Sequence, residues 1–201
     1  MALTLVPPTP AGPILEELLL PDVKAHLRID GTLEDALLVG YGAAARRWLE
    51  GRDGWLNRAF LTQSWEWTLD AFPAGELRLP LAPLRSVTAI TYRAPDGSLA
   101  TLAPAAYEVD AKSEPGRLRP AVGTCWPSTS ETMHAVAIVF EAGYGTTLEA
   151  LPQPIRLALI GIMSDYYEHR AEATLFGVSA TNAGQPAWVE ALLASYRVWG
   201  A

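Results

Sequence analysis

From Leu61 to Leu69 apolar and polar side chains alternate, with Leu61, Gln63, Trp65, Trp67 and Leu69 on one side and Thr62, Ser64, Glu66 and Thr68 on the other. A period of two is that of an extended chain, so this stretch is expected to be a half-buried antiparallel strand. Glu76 to Leu79 reads as a second short strand, and Pro80 and Pro83 bracket a turn before a third at Val87 to Tyr92. Asp96-Gly97 is a hairpin signal that returns the chain through Leu99 to Leu102. Tyr107 to Asp110 and Arg117 to Arg119 flank Glu114-Pro115-Gly116, which predicts another hairpin, and Ala135 to Glu141 supplies one more strand.

On either side the period becomes helical. Residues 1 to 13 are proline-rich and expected to be extended. Ile14 to Leu20 and Pro21 to Ile29 then open the chain with short helical turns, Pro21 and Asp22 starting the second. There Val23, His26 and Leu27 share a face, and His26 is read as a half-buried packing residue. Thr32 and Asp35 resemble a cap for a long helix over 33 to 50, whose face is assigned to Leu33, Leu37, Tyr41, Ala44 and Trp48. Gly51 and Gly54 end it, and Arg46, Arg47 and Glu50 fall on its solvated side.

Leu151-Pro152-Gln153-Pro154 announces a helix over Ile155 to Arg170, since proline is tolerated where a helix N–H has no partner. Ile155, Leu159, Ile162, Met163 and Tyr166 recur at helical spacing, and Leu157, Ala158, Ile160 and Gly161 fill the rest of the cylinder. A helix apolar on every side must be enclosed by protein. Beyond a linker over Ala171 to Gln185, Trp188, Leu192, Ser195 and Trp199 mark one stripe of a short amphipathic helix, widened by Val189, Leu193 and Tyr196. So short a helix carries more apolar surface than it can bury by itself, so it is expected to dock on its own body or on a partner. Helices about 14–50 and 154–170 around strands at about 60–142 make the class α+β.

A chain of 201 residues can bury one good core and a small second one. Its net charge of −7, pI near 5.0 and just two lysines, Lys24 and Lys112, argue against binding nucleic acid by coating it with cations. No apolar run approaches the roughly 20 residues needed to span a bilayer, and the first residues lack a basic, long-cored secretory signal. Membrane contact is therefore not expected.

Candidate chemistry is scattered. Cys125 stands alone, which leaves no partner for an intrachain disulfide, and beside Trp126 and Pro127 it reads as a small packed residue. His26, His134 and His169 are far apart, and Glu131 with His134 has Glu-x-x-His spacing that would align two ligands on a helix, whereas it leads into a strand. Gly143-Tyr144-Gly145-Thr146-Thr147 lacks the lysine of a phosphate loop and reads as a strand-to-helix turn. Glu108 and Asp110 share a strand face as exposed acids of an edge hairpin. Neither catalytic nor metal-binding nor cofactor-binding residues are assigned.

Leu20-Pro21-Asp22-Val23-Lys24-Ala25-His26-Leu27-Arg28-Ile29-Asp30, Asp35-Ala36-Leu37-Leu38, Ala43-Ala44-Ala45-Arg46 and Trp48-Leu49-Glu50 resemble the opening helices of phage head–tail connector (adaptor) proteins. Leu79-Pro80, Pro83-Leu84-Arg85-Ser86-Val87, Tyr92, Asp96-Gly97, Tyr107-Glu108-Val109-Asp110, Trp126-Pro127 and Glu141-Ala142-Gly143-Tyr144-Gly145 resemble the β insertion of its longer members. Leu151 to Ala158, Tyr167-Glu168-His169-Arg170 and Pro186 to Arg197 resemble its closing helix and C-terminal segment, with His169 where the family often has asparagine.

That resemblance implies a helical connector body over residues 1–170 with an inserted antiparallel β unit, and a linker and partner-binding helix over 171–201. It further implies a non-enzymatic ring, dodecameric like the portal, in the neck of a tailed phage or a phage-derived gene transfer agent. The ring would assemble in the bacterial cytoplasm, sit beneath the portal protein and receive a tail-side stopper, with DNA crossing its lumen without sequence-specific binding. The residues carried over as portal-binding are Trp188, Val189, Leu192, Leu193, Tyr196 and Trp199. The alternatives are a stopper or completion protein of the same particle, or a small hydrolase using Cys125 or the acids near 108 to 114.

Overall fold

The computed structural model describes residues 1–6, 14–170 and 187–199, which fall into two compact units. The expected proline-rich extension past Val6 and the linker over 171–185 lie outside the described residues. Helices and antiparallel sheets make the class α+β.

The first unit, from Met1–Gly12, Asn57–Tyr144 and Val198–Ala201, holds all the strands among the described residues. A five-stranded antiparallel sheet has the order β1-β2-β8-β4-β5, formed by Ala2–Val6, Gln63–Leu69, Val136–Ala142, Leu84–Arg93 and Leu99–Thr101. The start of the chain is thus more than extended, because Ala2 to Val6 pair with Thr68 to Ser64 along the edge of this sheet. On β2 the period-two reading holds, with Trp67 and Leu69 buried. On β8 Val136, Ile138, Phe140 and Ala142 alternate inward. The hairpin at Asp96-Gly97 joins β4 to β5, and Gly97 takes the positive φ of 86° that its turn requires.

A three-stranded sheet, β3-β7-β6, pairs Leu77–Arg78, Arg117–Pro120 and Tyr107–Asp110. Its inward residues Leu77 and Leu118 join Ile90, Ile138 and Phe140 in one core. Arg58, only 4% exposed, is held there by both carboxylate oxygens of Glu114 and lies 5.8 Å from the Tyr144 ring centroid. A fork of this kind satisfies a buried guanidinium in one geometry. Gly143, at φ 126°, could not carry a side chain, because a Cβ would fall 2.3 Å from the Leu61 carbonyl oxygen. The segment 143–147 is the turn out of β8 that its glycines suggested, leading into a 3-10 turn and the next helix.

The second unit is helical, from Pro13–Leu56 and Gly145–Arg197. It comprises α1 (Leu15–Leu27), α2 (Asp35–Leu49), α3 (Gln153–Glu168) and α4 (Ala187–Leu193). Among the described residues no helix is long and apolar enough to cross a membrane. Pro21 does not divide α1 but sits within it on an exposed position, and Arg28 ends the helix in the left-handed region while Ile29 N–H bonds the Lys24 carbonyl. His26 is exposed, so the packing role read for it is corrected, and Val23 faces the core instead.

The buried stripe of α2 is also displaced from its expected position. Leu33 is fully exposed and Leu37 partly so, at 40%, while Leu38, Gly42, Ala45 and Leu49 are buried. Two apolar stripes one residue apart are open to this helix, and close approach of its neighbours selects the one containing glycine. A Cβ on Gly42 would lie 2.9 Å from Glu16 Cγ and 3.1 Å from Met163 Cε. Arg46, read as solvated, instead reaches buried Glu16 at 3.3 Å and bonds Glu50 one turn on. Breaking a buried pair of this sort leaves one charge uncompensated, so it ties α2 to α1.

Gly42→Val is expected to lower stability by about 2 kcal/mol in urea unfolding, because two packed neighbours must give way. Gly40, where an added Cβ would meet nothing within 4 Å, is its control. Gly40→Ala should leave stability unchanged or raise it by about 0.5–1 kcal/mol.

Candidate docking surface

The chemistry that catalysis would need is dispersed or already engaged. Glu108 accepts two bonds from Arg119, at 2.6 and 2.8 Å, and Asp110 accepts one from Arg117 at 2.8 Å. Bonds from the Ser113 hydroxyl and the Lys112 N–H, with the Arg117 guanidinium, hold the Asp110 carboxyl well below the usual carboxylate range. His134 Nδ1 lies 2.9 Å from the Thr68 hydroxyl. Cys125 is exposed and not packed, because the inward position beside it belongs to Trp126, stacked on Phe72 at 4.8 Å and donating to the Gly75 carbonyl. Among the described residues no three His, Cys, Asp or Glu side chains come together as metal ligands would.

What remains is a surface on the helical unit, built on α3. Pro152 and Pro154 start that helix, and Ile155, Ala158, Leu159, Ile162 and Met163 are buried against α1 and α2. Two polar ties fix its orientation, Arg156 donating to Asp22 at 2.9 Å and the Tyr167 hydroxyl to Glu34 at 2.7 Å, while the Ser164 hydroxyl bonds back to the Ile160 carbonyl within the helix at 2.8 Å. The bond to Glu34 raises the Tyr167 pKa, and burial with nearby Asp165 raises that of Tyr166. The opposite face of α3 is apolar in its middle, at Leu157, Ile160 and Gly161, and Leu157 there is 48% exposed.

α4 covers part of that face. Val189 and Leu193, four residues apart, lie on one side of it and are fully buried. Trp188 and Leu192 form the adjacent stripe, with Leu192 half-buried and Trp188 still 46% exposed. The Trp188 indole rests on Gly161, where a Cβ would stand 2.4 Å from Cη2, so the glycine is what lets the ring lie down. Past α4 the chain makes a 3-10 turn at Ala194–Tyr196, and the Arg197 guanidinium sits 4.9 Å from the Trp55 ring.

Trp199 is not on the helical stripe assigned to it, because the helix has ended and residues 197 to 199 lack regular structure. It is 70% exposed within the first unit, next to Val198, whose carbonyl accepts a bond from Asn57 at 3.1 Å. Of the six residues singled out in the C-terminal segment, α4 thus turns Val189 and Leu193 inward, leaves Leu192 and Tyr196 half-buried, and Trp188 and Trp199 present large open apolar surface.

Between α3 and α4 lies an open groove of about 450 Å³, with Leu157, Ile160, Gly161, Trp188 and Leu192 as its apolar lining. Asp165 and Glu168 border it, along with Ser164 and His26. The α3 side of this groove was not singled out from the sequence. Its signal was present in a helix apolar all round, which has more apolar surface than two packed neighbours can cover.

No protein-family model and no curated protein matches the sequence. Solved structures do. A chain of the virion of a native gene transfer agent particle is 28% identical, with a TM-score of 0.76 and coverage of 100% of this chain and 97% of its own. A chain from the neck of an empty gene transfer agent particle in C6 symmetry is 27% identical at a TM-score of 0.73, and one from the neck of a native particle in C12 symmetry is 26% identical at 0.73. Both share the same coverage, 100% and 97%. The chain is therefore similar over its entire length to proteins of gene transfer agent particles, consistent with its resemblance to the head–tail connector family of tailed phages.

Proposed function

We propose that this chain is a structural protein of the neck of a tailed phage or gene transfer agent, a head–tail adaptor that forms a ring between the capsid portal and the tail-side stopper. The observation that carries the reading is the end-to-end likeness to chains of particle necks, one of them in C12 symmetry. A ring of twelve copies follows if that symmetry is shared, each subunit offering two different faces to its neighbours. Genome DNA would pass through the lumen, and a subunit of charge −7 repels phosphate and lets it slide by. The role is architectural, with residues 1–170 as connector body and 171–201 as linker and partner-binding segment.

Portal attachment is assigned to the C-terminal segment through Trp188, Leu192, Tyr196 and Trp199, with Val189 and Leu193 seating it. Two indoles left 46% and 70% exposed are costly to keep in water and are the residue type that dominates interface energies. Their truncation separates an anchor from a private core.

Trp188→Ala combined with Trp199→Ala should weaken portal co-sedimentation roughly a thousandfold, since each buried interface aromatic is worth about 2 kcal/mol. The melting temperature should barely move. Val189→Ala with Leu193→Ala, at fully buried positions, should instead lower melting by removing packing from the helical unit. A destabilised but fully binding Trp188→Ala/Trp199→Ala protein would contradict the assignment.

Cys125→Ser should leave particle assembly and DNA packaging intact, because the thiol is exposed and takes no part in the core. Loss of particle function by this variant with folding preserved would favour a hydrolase instead.

A further inference from the structure

We propose that the groove between α3 and α4 receives a basic amphipathic segment of the portal protein, which inserts one large apolar side chain beside Trp188 and sets lysine or arginine against Asp165 and Glu168. The inference rests on reading the C-terminal segment as portal-facing, and adds to it the chemistry of what is bound.

The shape of the groove comes first. Its volume of about 450 Å³ lies between two helices and is open along its length, which suits a side chain projecting from a helix more than an enclosed small molecule. The floor is Ile160 and Gly161, and α4 cannot descend further to fill it because the Trp188 ring is already in contact with the glycine. Leu157 stays 48% exposed across from that ring. Apolar walls that no described element closes, on a helix fixed by buried residues on its other side, make a preformed slot.

Charge selects the occupant. The carboxylate side chains lining the groove are Asp165 and Glu168 from α3, the one basic-type side chain is His26 from α1, and no lysine or arginine lines it. Asp165 lies 3.2 Å from His169 Nδ1, and Glu168 takes part in no ion pair among the described residues. α4 contributes no cation to the lining. An acidic partner segment would be repelled here, and an apolar one would leave Glu168 facing it unmatched.

The experiment uses the full chain, the purified portal protein of the same particle, and two labelled helical peptides of equal length carrying one central tryptophan flanked by either lysines or glutamates. The wild type should bind the lysine peptide more tightly than the glutamate peptide, with an affinity that falls as salt rises. Asp165→Lys with Glu168→Lys should invert the preference and weaken portal co-sedimentation about tenfold, the melting temperature remaining that of the wild type. Binding of the lysine peptide and the portal undiminished in the charge-reversed protein would overturn the proposal. If that protein keeps portal binding while Trp188→Ala/Trp199→Ala loses it, the C-terminal reading survives and the groove assignment alone fails. Should neither variant lose portal binding, both are wrong.

Discussion

A helical stretch with almost no polar side is unstable in water, and the helical unit is arranged around that fact. Over Leu157 to Met163 α3 presents almost no polar residue, so each face of that stretch must be matched by another element or by another protein. α1 and α2 take the side bearing Ile155, Ala158, Leu159, Ile162 and Met163. α4 takes a second sector with Val189 and Leu193. What no described element takes, the strip from Leu157 to Gly161 along the α4 edge, is the apolar lining of the groove. Burial of a few hundred Å² of such surface at about 25 cal/mol per Å² would be enough to matter for docking within the proposed ring, where local concentration is high.

Small residues decide how the covering elements lie. Gly42 lets α2 come down onto Glu16 and Met163, and Gly161 lets an indole lie flat on α3. The buried Glu16 carboxylate that results is matched by Arg46, which explains a charge inside a helical interface without assigning it a chemical task. In the strand-rich unit the comparable device is Arg58 held in the fork of Glu114. Both are architectural uses of arginine, as are the pairings of Arg117 and Arg119 with Asp110 and Glu108.

Where an element's identity depended on local period or turn chemistry, the sequence was enough. Trp67 and Leu69 follow from alternation, and the β6–β7 hairpin follows from Glu114-Pro115-Gly116. Where it depended on what lies opposite, it was not. Ala2 to Val6 becomes a strand through pairing with β2, some sixty residues away, and its own five residues carry little alternation. The α2 stripe falls one position from the expected one because Leu37 and Leu38 are equally apolar and only the packing of Gly42 distinguishes them. His26 and Cys125 are residue types often buried, yet their neighbours Val23 and Trp126 hold the inward positions. In the C-terminal segment Trp188 and Leu192 were legible as one stripe, and Trp199 was misplaced because the helix stops at Leu193, a boundary no cap residue announced.

The central claim is that the chain forms the ring beneath the portal and meets it through its C-terminal segment. A cryo-EM map of the particle neck with this chain traced in it tests that directly. The account predicts a ring of twelve copies in contact with the portal, residues 187–199 and the outer face of α3 at the contact, and the Trp188 indole shielded from solvent. A ring placed on the tail side with no portal contact, or a portal contact made elsewhere while Trp188 and Leu157 remain open to solvent, would contradict it.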